Sequence, residues 1–299
     1  MSDRMMHRTT WPAALVLAAA FALAAGVAPA AAQDWRTVTS MRRASDEDRL
    51  RVDIEYGAGE LRIQPVDGDL LYRTRLRYDA DVFRPRTTYS NGRLRLGIAG
   101  ENALRFRNHE AGRLELELGK RVPVELNLKF GAVEADIELG GVRVHEARIA
   151  TGASETVIRF SAPNPDRMRL LDIDVGAASL RVLGLGQASP ERVQVEGGMA
   201  DVTLDFSGPW RHSIDANVKM GLGSVTLRVP RDVGVRVRKT SVLASFSSDG
   251  FTKRGDHYFS SNFESAPYHL MVGIESAFGS INIDWIEAAT AAAGTEVSR

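Results

Sequence analysis

Apolar and polar residues alternate along most of the chain, in short segments that share one layout. Each segment has an alternating stretch, a glycine or alanine, a short spacer and a second alternating stretch. Alternation with a period of two predicts β-strands that bury one face. The layout occurs seven times, centred on Gly57, Gly131, Gly152, Gly176, Gly198, Gly221 and Ala277.

The spacing of the central glycines indicates a repeat fold. From Gly131 to Gly221 the steps between them are 21, 24, 22 and 23 residues. One such unit cannot bury its apolar face alone, so neighbouring units must stack around a shared core. We therefore predict an all-β fold, a single-stack β-solenoid of about seven coils. The glycine would lie at the corner of each coil, where a sharp turn often needs a positive φ.

Two stretches interrupt the repeat. Residues 65–125 hold further alternating strands and the hairpin signal Asn91-Gly92, so we predict an antiparallel N-terminal β cap over residues 33–118, including the first coil. Residues 119–286 would form the solenoid, with an inserted loop or hairpin at 231–269. This insertion is rich in aromatic residues, which form either a partner surface or a small core of its own.

The two ends of the chain predict export and a flexible tail. A charged start precedes an apolar run from Trp11 to Val27 and three alanines, Ala30 to Ala32. We predict a signal peptide over residues 1–32 and a periplasmic or secreted mature chain. Retention as a membrane anchor is the alternative, but a span needs about 20 apolar residues and Pro29 ends the run early. Residues 287–299, Ala-rich and polar, predict a flexible tail.

Composition removes several function classes. Lys plus Arg equals Asp plus Glu, at 38 each, so the chain lacks the positive field that nucleic-acid binding usually needs. Cysteine is absent, which excludes disulfides, thiolate metal sites, cysteine nucleophiles and a lipidated cysteine. No later segment reaches membrane-spanning length, so we expect no membrane span in the mature chain.

No recognisable catalytic or metal motif occurs. The histidines outside the predicted signal peptide lack metal-ligand spacing, and no serine-nucleophile motif is present. We therefore predict no catalytic, cofactor-binding or metal-ligating residue, and no cofactor.

Carboxylates attract more interest, because stacking would align them in rows. One row would hold Glu134, Glu155, Ser179, Asp201, Ser224 and Ser280, and a second group on the preceding strand would hold Asp172, Asp174, Glu196 and Asp215. Such rows could bind a cation or supply the acid pair of a glycosidase. They could instead form a solvated face of compensating charges, as in Glu138 beside Arg159 and Asp205 beside Arg228.

The repeated corners resemble those of the toastrack family, the β-solenoid domain of LiaF-like cell-wall-active antibiotic response proteins and adhesin-like bacterial proteins. The resemblance covers about residues 48–286. It rests on the corners Gly57-Ala58-Gly59-Glu60, Gly131-Ala132-Val133-Glu134, Gly152-Ala153-Ser154-Glu155, Gly176-Ala177-Ala178-Ser179 and Gly221-Leu222-Gly223-Ser224. It implies an envelope location, adhesion or self-association, and a link to cell-envelope stress signalling. The chain differs from membrane-embedded relatives, which have transmembrane helices before this domain.

We therefore expect an exported, non-enzymatic envelope protein that acts as an interaction or adhesion module. Its partner would be another protein, a cell-envelope polymer or a second copy of the chain. The alternative is a carbohydrate-active β-solenoid enzyme that uses paired carboxylates.

Overall fold

The computed structural model describes residues 34–81, 83–100, 112–246 and 249–288, with the backbone alone at 99–100 and 241–244. The predicted signal peptide and residues 289–299 of the predicted tail lie outside these ranges. The chain is all-β, as predicted. Its strands are β1 (Trp35–Arg43), β2 (Leu50–Val66), β3 (Leu70–Asp79), β4 (Phe83–Ser90), β5 (Arg93–Gly100), β6 (Gly112–Gly119), β7 (Val124–Glu138), β8 (Val144–Thr151), β9 (Glu155–Arg159), β10 (Met168–Leu183), β11 (Pro190–Asp205), β12 (Ile214–Pro230), β13 (Gly234–Phe246), β14 (Phe251–Arg254), β15 (His257–Ser260) and β16 (His269–Ile286).

Within the described residues the one helix is a single turn, α1 (Leu185–Ala188), between β10 and β11. No helix in that part of the chain has the length and apolar character needed to cross a membrane.

The long strands stack in parallel and form the body of the sheet. Their order is β2, β7, β8 with β9, β10, β11, β12, β16 and β13. We call each long strand a unit, with β8 and β9 together making one. Neighbouring units pair in register on both sides of the corner, as Val195 with Val218 and Leu204 with Leu227 show. Every outward side chain therefore belongs to a row that crosses the stack.

The segment 231–269 differs from the expected inserted loop or hairpin. It holds β13, which adds a further parallel unit beyond β16, followed by the hairpin β14–β15. β16 thus pairs with β12 on one edge and β13 on the other. The local sequence pattern does not reveal this strand order, because β13 has no glycine at its corner and pairs with β16, which comes later in the chain.

Alternation along each unit separates core from solvent. Val193, Val195 and Leu204 of β11 are fully buried, and the equivalent residues of the other units extend the same core through the stack. Burial of each such side chain stabilises the fold by about 1.5–3 kcal/mol. The stack is therefore held together chiefly by apolar contacts between successive units.

Alternation shifts at the corners, because two consecutive residues face outward there. In β2, Tyr56 is buried, Gly57 and Ala58 lie on the outer side, and Gly59 is buried again. The expected positive φ at the corner glycine is wrong. Positive φ values occur two residues later, as at Gly59 (φ 127°) and Gly223 (φ 132°).

Close approach of neighbouring backbones explains the corner glycines. A Cβ added at Gly221 would lie 2.6 Å from the carbonyl oxygen of Gly198, and one at Gly176 would lie 2.9 Å from that of Gly152. At Gly131 the added Cβ would meet the carbonyl oxygen of Gly57 at a still shorter distance. Real Cβ atoms do not approach a carbonyl so closely, so the stack leaves room only for glycine at these three positions.

The strands at the outer edge of β2 differ from the predicted antiparallel cap, because the first two, β5 and β6, run parallel to β2 and together continue the stack. β5 pairs with the first half of β2 and β6 with the second half, while β4, β3 and β1 extend the sheet in antiparallel pairings. The predicted hairpin at Asn91-Gly92 is confirmed: both residues have positive φ, 48° and 69°, and join β4 to β5. Such a two-residue turn matches the twist of the paired strands.

Aromatic rings gather at the opposite edge of the stack. The Phe246 ring lies 5.1 Å from that of Tyr258, and Phe251 stacks on Trp285 at 5.7 Å between centroids. All four rings are partly buried against the main core. This favours the interpretation that the aromatic residues of 231–269 form a small core, since their rings pack against one another.

We predict that Phe251→Ala lowers the free energy of unfolding by about 2 kcal/mol, less than for a fully buried phenylalanine because Phe251 is only partly buried. Met41→Ala is the control: Met41 is 67 % exposed, and its truncation should change stability by less than about 0.5 kcal/mol. Urea unfolding of both variants gives the comparison. Equal, negligible losses would show that the aromatic cluster adds no packing energy.

A buried carboxylate joins the turn after β1 to β4. Glu47, whose side chain is 8 % exposed, accepts hydrogen bonds from the Ser45 backbone N–H (2.7 Å), the Arg42 guanidinium (3.0 Å) and the Tyr89 hydroxyl (2.9 Å). Burial alone would raise the pKa of Glu47, but these three donors outweigh it and lower the pKa from 4.5 to about 2.

We predict that Glu47 makes stability depend on pH below neutrality. A carboxyl with a depressed folded-state pKa contributes stability that is complete above its unfolded pKa, 4.5, and lost as pH falls toward about 2. The stability difference between the wild type and Glu47→Gln should therefore shrink between pH 5 and pH 2.5, as measured by urea unfolding at each pH. A constant difference would contradict the assigned hydrogen bonds.

Candidate functional site

A groove of about 1,210 Å³ follows the column of corner glycines along the stack. It is bounded by residues of all eight units, from β2 to β16 and β13, and by Ile98 of β5. Along much of its length only glycine backbone lies at the corner: Gly57, Gly131, Gly152, Gly176, Gly198 and Gly221. The residues required for close stacking thus also leave the space that forms the groove.

A row of side chains two residues before each corner lines the groove. Pairing places these residues in register from one unit to the next. The row consists of Glu55, Lys129, Ala150, Asp174, Glu196, Lys219, Glu275 and Thr240. Four carboxylates and two ammonium groups therefore line one groove. We call this set the groove row.

Lys219 of the groove row forms an ion pair with Glu196, which belongs to the same row. Its Nζ lies 3.0 Å from Oε1 of Glu196, and the two side chains are 56 % and 59 % exposed. The hydrogen bond to Glu196 raises the pKa of Lys219, as do the charges of Glu196 and Glu275. An exposed pair of this kind contributes little to stability, about 0–1 kcal/mol. Either group can therefore leave the pair and bind a ligand with little loss of free energy.

Apolar side chains lie beneath the groove, one residue before each corner. Tyr56, Phe130, Val175 and Met220 contribute to its surface although each is almost completely buried. The Tyr56 hydroxyl is buried and accepts or donates no hydrogen bond within the described residues. Burial raises the pKa of Tyr56, and the nearby charge of Glu60 raises it further, so the phenol stays neutral.

A polar recess of about 190 Å³ opens beside the groove where β16 carries Gly273. A Cβ at Gly273 would lie 2.5 Å from Oδ1 of Asn217, so the Asn217 amide occupies the place that a side chain at 273 would take. Gln194, Asn217 and Arg238 line it. These amide and guanidinium groups suit hydrogen bonding to hydroxyl, amide or carboxylate groups of a ligand.

The predicted row of carboxylates and serines exists, but outside the groove. Glu134 pairs with Glu155, Ser179 with Glu155 and Asp201, and Ser224 with Asp201. Ser280 continues the row, and Ser224 donates a hydrogen bond to Asp201 (2.6 Å). The row lies three residues after each corner, on the other half of the unit.

The second predicted carboxylate group is divided between rows. Asp174 and Glu196 are register neighbours in the groove row, whereas Asp172 lies between Arg148 and Gln194. Asp215 pairs with Arg192 and is not brought to the others. Burial raises the pKa of Asp172, as does the neighbouring charge of Asp174, while Arg148 lowers it.

The two predicted charge pairs have different outcomes. Arg228 bonds Asp205 at 2.6 Å, as predicted. Glu138 lies beside Arg159 in register, as predicted, but the Arg159 guanidinium bonds Asp136 instead of Glu138. Glu138 accepts hydrogen bonds from the backbone N–H groups of Gly140 and Ser161. The turn after β7 thus takes the carboxylate away from its neighbour in register.

The described residues contain no cluster of metal-ligating side chains. Within the described ranges no three His, Asp or Glu side chains lie close enough to hold an ion. His212 and His269 contact the backbone oxygens of Ser189 and Phe263.

Sequence reasoning missed the groove row. Its signal is a polar residue two positions before the corner, which the sequence contains in every unit except that of Ala150. The groove itself gives no such signal, because its volume depends on how the units bend.

Comparisons with known proteins identify one family model and several solved structures. The model, described as the N-terminal domain of toast_rack, DUF2154, matches residues 31–183 and 168–228. Among curated proteins, none matches the chain.

Three solved structures are similar over most of their length. A "putative cell adhesion protein" from Clostridium sporogenes ATCC 15579 is 18 % identical, with 84 % of this chain and 100 % of that chain covered and a TM-score of 0.45. A "putative adhesin" from Parabacteroides merdae ATCC 43184 is 10 % identical (84 % and 97 % covered, TM-score 0.34). A "putative lipid binding protein" from Parabacteroides distasonis ATCC 8503 is 12 % identical (84 % and 98 % covered, TM-score 0.31).

Proposed function

Because the chain belongs to the toast-rack family, we propose that it is an exported, non-enzymatic interaction module of the bacterial envelope. Its parallel units form a β-solenoid, which the antiparallel strands β4, β3 and β1 cap at the N-terminal end. The corner groove holds an extended segment of a partner, either another protein or a cell-envelope polymer.

The continuity of the groove carries this proposal. A ligand-binding cleft commonly has about 300–1,000 Å³, and this groove exceeds that range because it crosses eight units. At about 4.8 Å per unit, it is some 30 Å long. Such a shape suits a chain-like ligand better than a compact small molecule.

The groove row supports recognition of a polar chain. Its charged side chains recur at the spacing of the units, and Lys219 and Glu196 are both more than half exposed. The buried residues beneath them add apolar surface. A partner segment with alternating polar and apolar groups can therefore contact both parts of the groove.

Export and a stress role rest on other features. The N-terminal pattern of residues 1–32 supports secretion to the periplasm or beyond. The toastrack resemblance supports a link to cell-envelope stress signalling, and we propose that the chain acts in that response.

We predict that Ala150→Trp prevents partner binding. Ala150 lies in the middle of the groove row and is partly exposed, so an indole there blocks the groove without entering the core. Purified wild type and variant should be compared for capture of envelope proteins and for co-sedimentation with insoluble envelope polysaccharide. The wild type should bind one of these fractions and the variant should bind at least tenfold less.

Arg192→Trp provides the matched control, because Arg192 is exposed on the same half of a unit but outside the groove. It should bind as the wild type does, and circular dichroism should show all three proteins folded. Equal binding by Ala150→Trp and the wild type would refute the groove. Deleting 231–269 is a poorer test, since it removes β13 and exposes the edge of β16.

The stress link predicts that transcription of this gene rises severalfold when the source bacterium is exposed to a cell-wall antibiotic. An antibiotic that acts on the ribosome is the control. Unchanged transcript under both treatments would remove the stress role and leave the binding proposal intact.

One observation favours the alternative of a carbohydrate-active enzyme. Burial and Asp174 raise the pKa of Asp172, and a raised pKa suits a general acid. The test is a reducing-end assay on envelope polysaccharides with the wild type and Asp172→Asn. Cleavage by the wild type alone would establish the enzyme, and no cleavage by either would end this alternative.

A further inference from the structure

A ridge of large apolar side chains lies on the outside of the stack. Met199, Leu222 and Phe278 directly follow the corners of β11, β12 and β16 and are 59 %, 43 % and 49 % exposed. They are register neighbours, so they form one continuous row. Contiguous exposed apolar side chains of this kind are typical of an interaction surface.

In the other half of the stack, the same row consists of small side chains. The positions after the corners of β7, of β8 with β9, and of β10 carry exposed alanines, Ala132, Ala153 and Ala177. Alignment with the ridge follows from the pairing of Ala177 with Met199. Large side chains and alanines thus occupy opposite halves of one row, which we call the apolar row.

The residues two positions after the apolar row form another row, which we call the acid–serine row. Its two halves also differ in residue type. Pairing places its eight members in register. In stacking order they are Glu60, Glu134, Glu155, Ser179, Asp201, Ser224, Ser280 and Ser245. Carboxylates fill most of the first half, and serines fill most of the second.

We propose that this face binds a second copy of the chain across a two-fold axis that lies parallel to the strands, between β10 and β11. The rotation keeps each row opposite itself and reverses the order of units. The facing pairs are then Phe278 with the partner's Ala132, Leu222 with the partner's Ala153, and Met199 with the partner's Ala177. Large side chains facing small ones allow two flat sheet faces to interdigitate.

The charges fix the position of this axis. With the axis between β10 and β11, every carboxylate of the acid–serine row faces a serine: Glu60 faces Ser245, Glu134 faces Ser280, Glu155 faces Ser224, and Asp201 faces Ser179. A shift of the axis by half a unit spacing onto β11 would bring Asp201 against the partner's Asp201. The opposite shift, onto β10, would bring Asp201 against the partner's Glu155. Like charges in contact oppose association, so the acid–serine row favours the axis between β10 and β11.

The next rows define the extent of the contact. Two residues beyond the acid–serine row, Asp136 would face the partner's Asn282 and Arg181 the partner's Thr203. Beyond these, Arg159 would face Arg228 and Glu138 would face Asp284. Since both arginines are already paired within their own chain, this last row forms a hydrated rim and the contact ends there.

The size of the face suits a dimer. Eight units at about 4.8 Å and three rows at about 6.8 Å give on the order of 750 Å² per chain. Stable interfaces bury about 800 Å² per partner. A neutral polysaccharide would not need the observed opposition of carboxylates to serines, and aliphatic side chains such as Met199 and Leu222 suit a protein surface better.

Cysteine pairs test the arrangement directly, because the chain contains no native cysteine. Ala132→Cys and Phe278→Cys are made as separate variants, mixed and oxidised. The two-fold brings Cys at these positions together between chains, so a disulfide-linked heterodimer is expected. Each variant alone should give no cross-link, since identical positions would lie about 24 Å apart. Cross-linking of a single variant, or none in the mixture, would overturn the proposal.

Association in solution gives the second test. Analytical ultracentrifugation should show a wild-type dimer, and Leu222→Glu should raise the dissociation constant at least tenfold. Met41→Glu is the control, because Met41 is also exposed and lies on β1, the third strand beyond β2 and outside the eight facing units. A monomeric wild type whose binding to envelope polysaccharide is abolished by Leu222→Glu would show a glycan surface and contradict the proposal.

A charge exchange tests the register without disturbing the apolar row. Ser280→Glu would face the partner's Glu134 and should weaken the dimer at least tenfold. Adding Glu134→Lys should restore it, since lysine and glutamate would then face each other. Circular dichroism should show all variants folded. Failure of the second substitution to restore association would exclude the proposed axis.

Discussion

At Gly131, Gly176 and Gly221 the neighbouring backbones approach one another more closely than a Cβ permits, and the rest of the molecule depends on this contact. An added Cβ at Gly221 or Gly176 would lie within 3 Å of a carbonyl oxygen of the adjacent unit. Glycine is therefore required by packing between units rather than by its own φ. The corner can then bend without separating the two halves of the sheet, and both halves continue to bury the same core.

Register follows from this contact and organises the surface. Since the corners stack directly, residues at equal offsets from them fall into rows, whatever their chemistry. The offset of minus two gives the charged groove row, and the offset of plus one gives the apolar row. The units share the same apolar core positions but carry different outward residues. Each row on the surface therefore has its own chemistry.

Much of this could be predicted from alternation and glycine spacing, because both are local consequences of stacking. The strands around Val195 and Leu204 and the turn at Asn91-Gly92 belong to this class. The position of β13 beyond β16 could not be predicted, since partner choice depends on distant parts of the chain. Arg159 reaching Asp136 instead of Glu138 depends on side-chain geometry that register alone does not set. The groove was missed for a similar reason, as its volume depends on the bend of each unit.

The close contact at the corners is tested most directly by replacing one corner glycine at a time with alanine and measuring the free energy of unfolding in urea. The added Cβ would lie 2.6 Å from the nearest carbonyl oxygen at Gly221, 2.9 Å at Gly176, 3.2 Å at Gly198 and 3.3 Å at Gly152, with Gly131 closer than all of these. The losses should follow that order, largest at Gly131 and smallest at Gly152. Equal losses, or stabilisation at Gly131 and Gly221 of the kind that alanine gives at unstrained sites, would contradict the account.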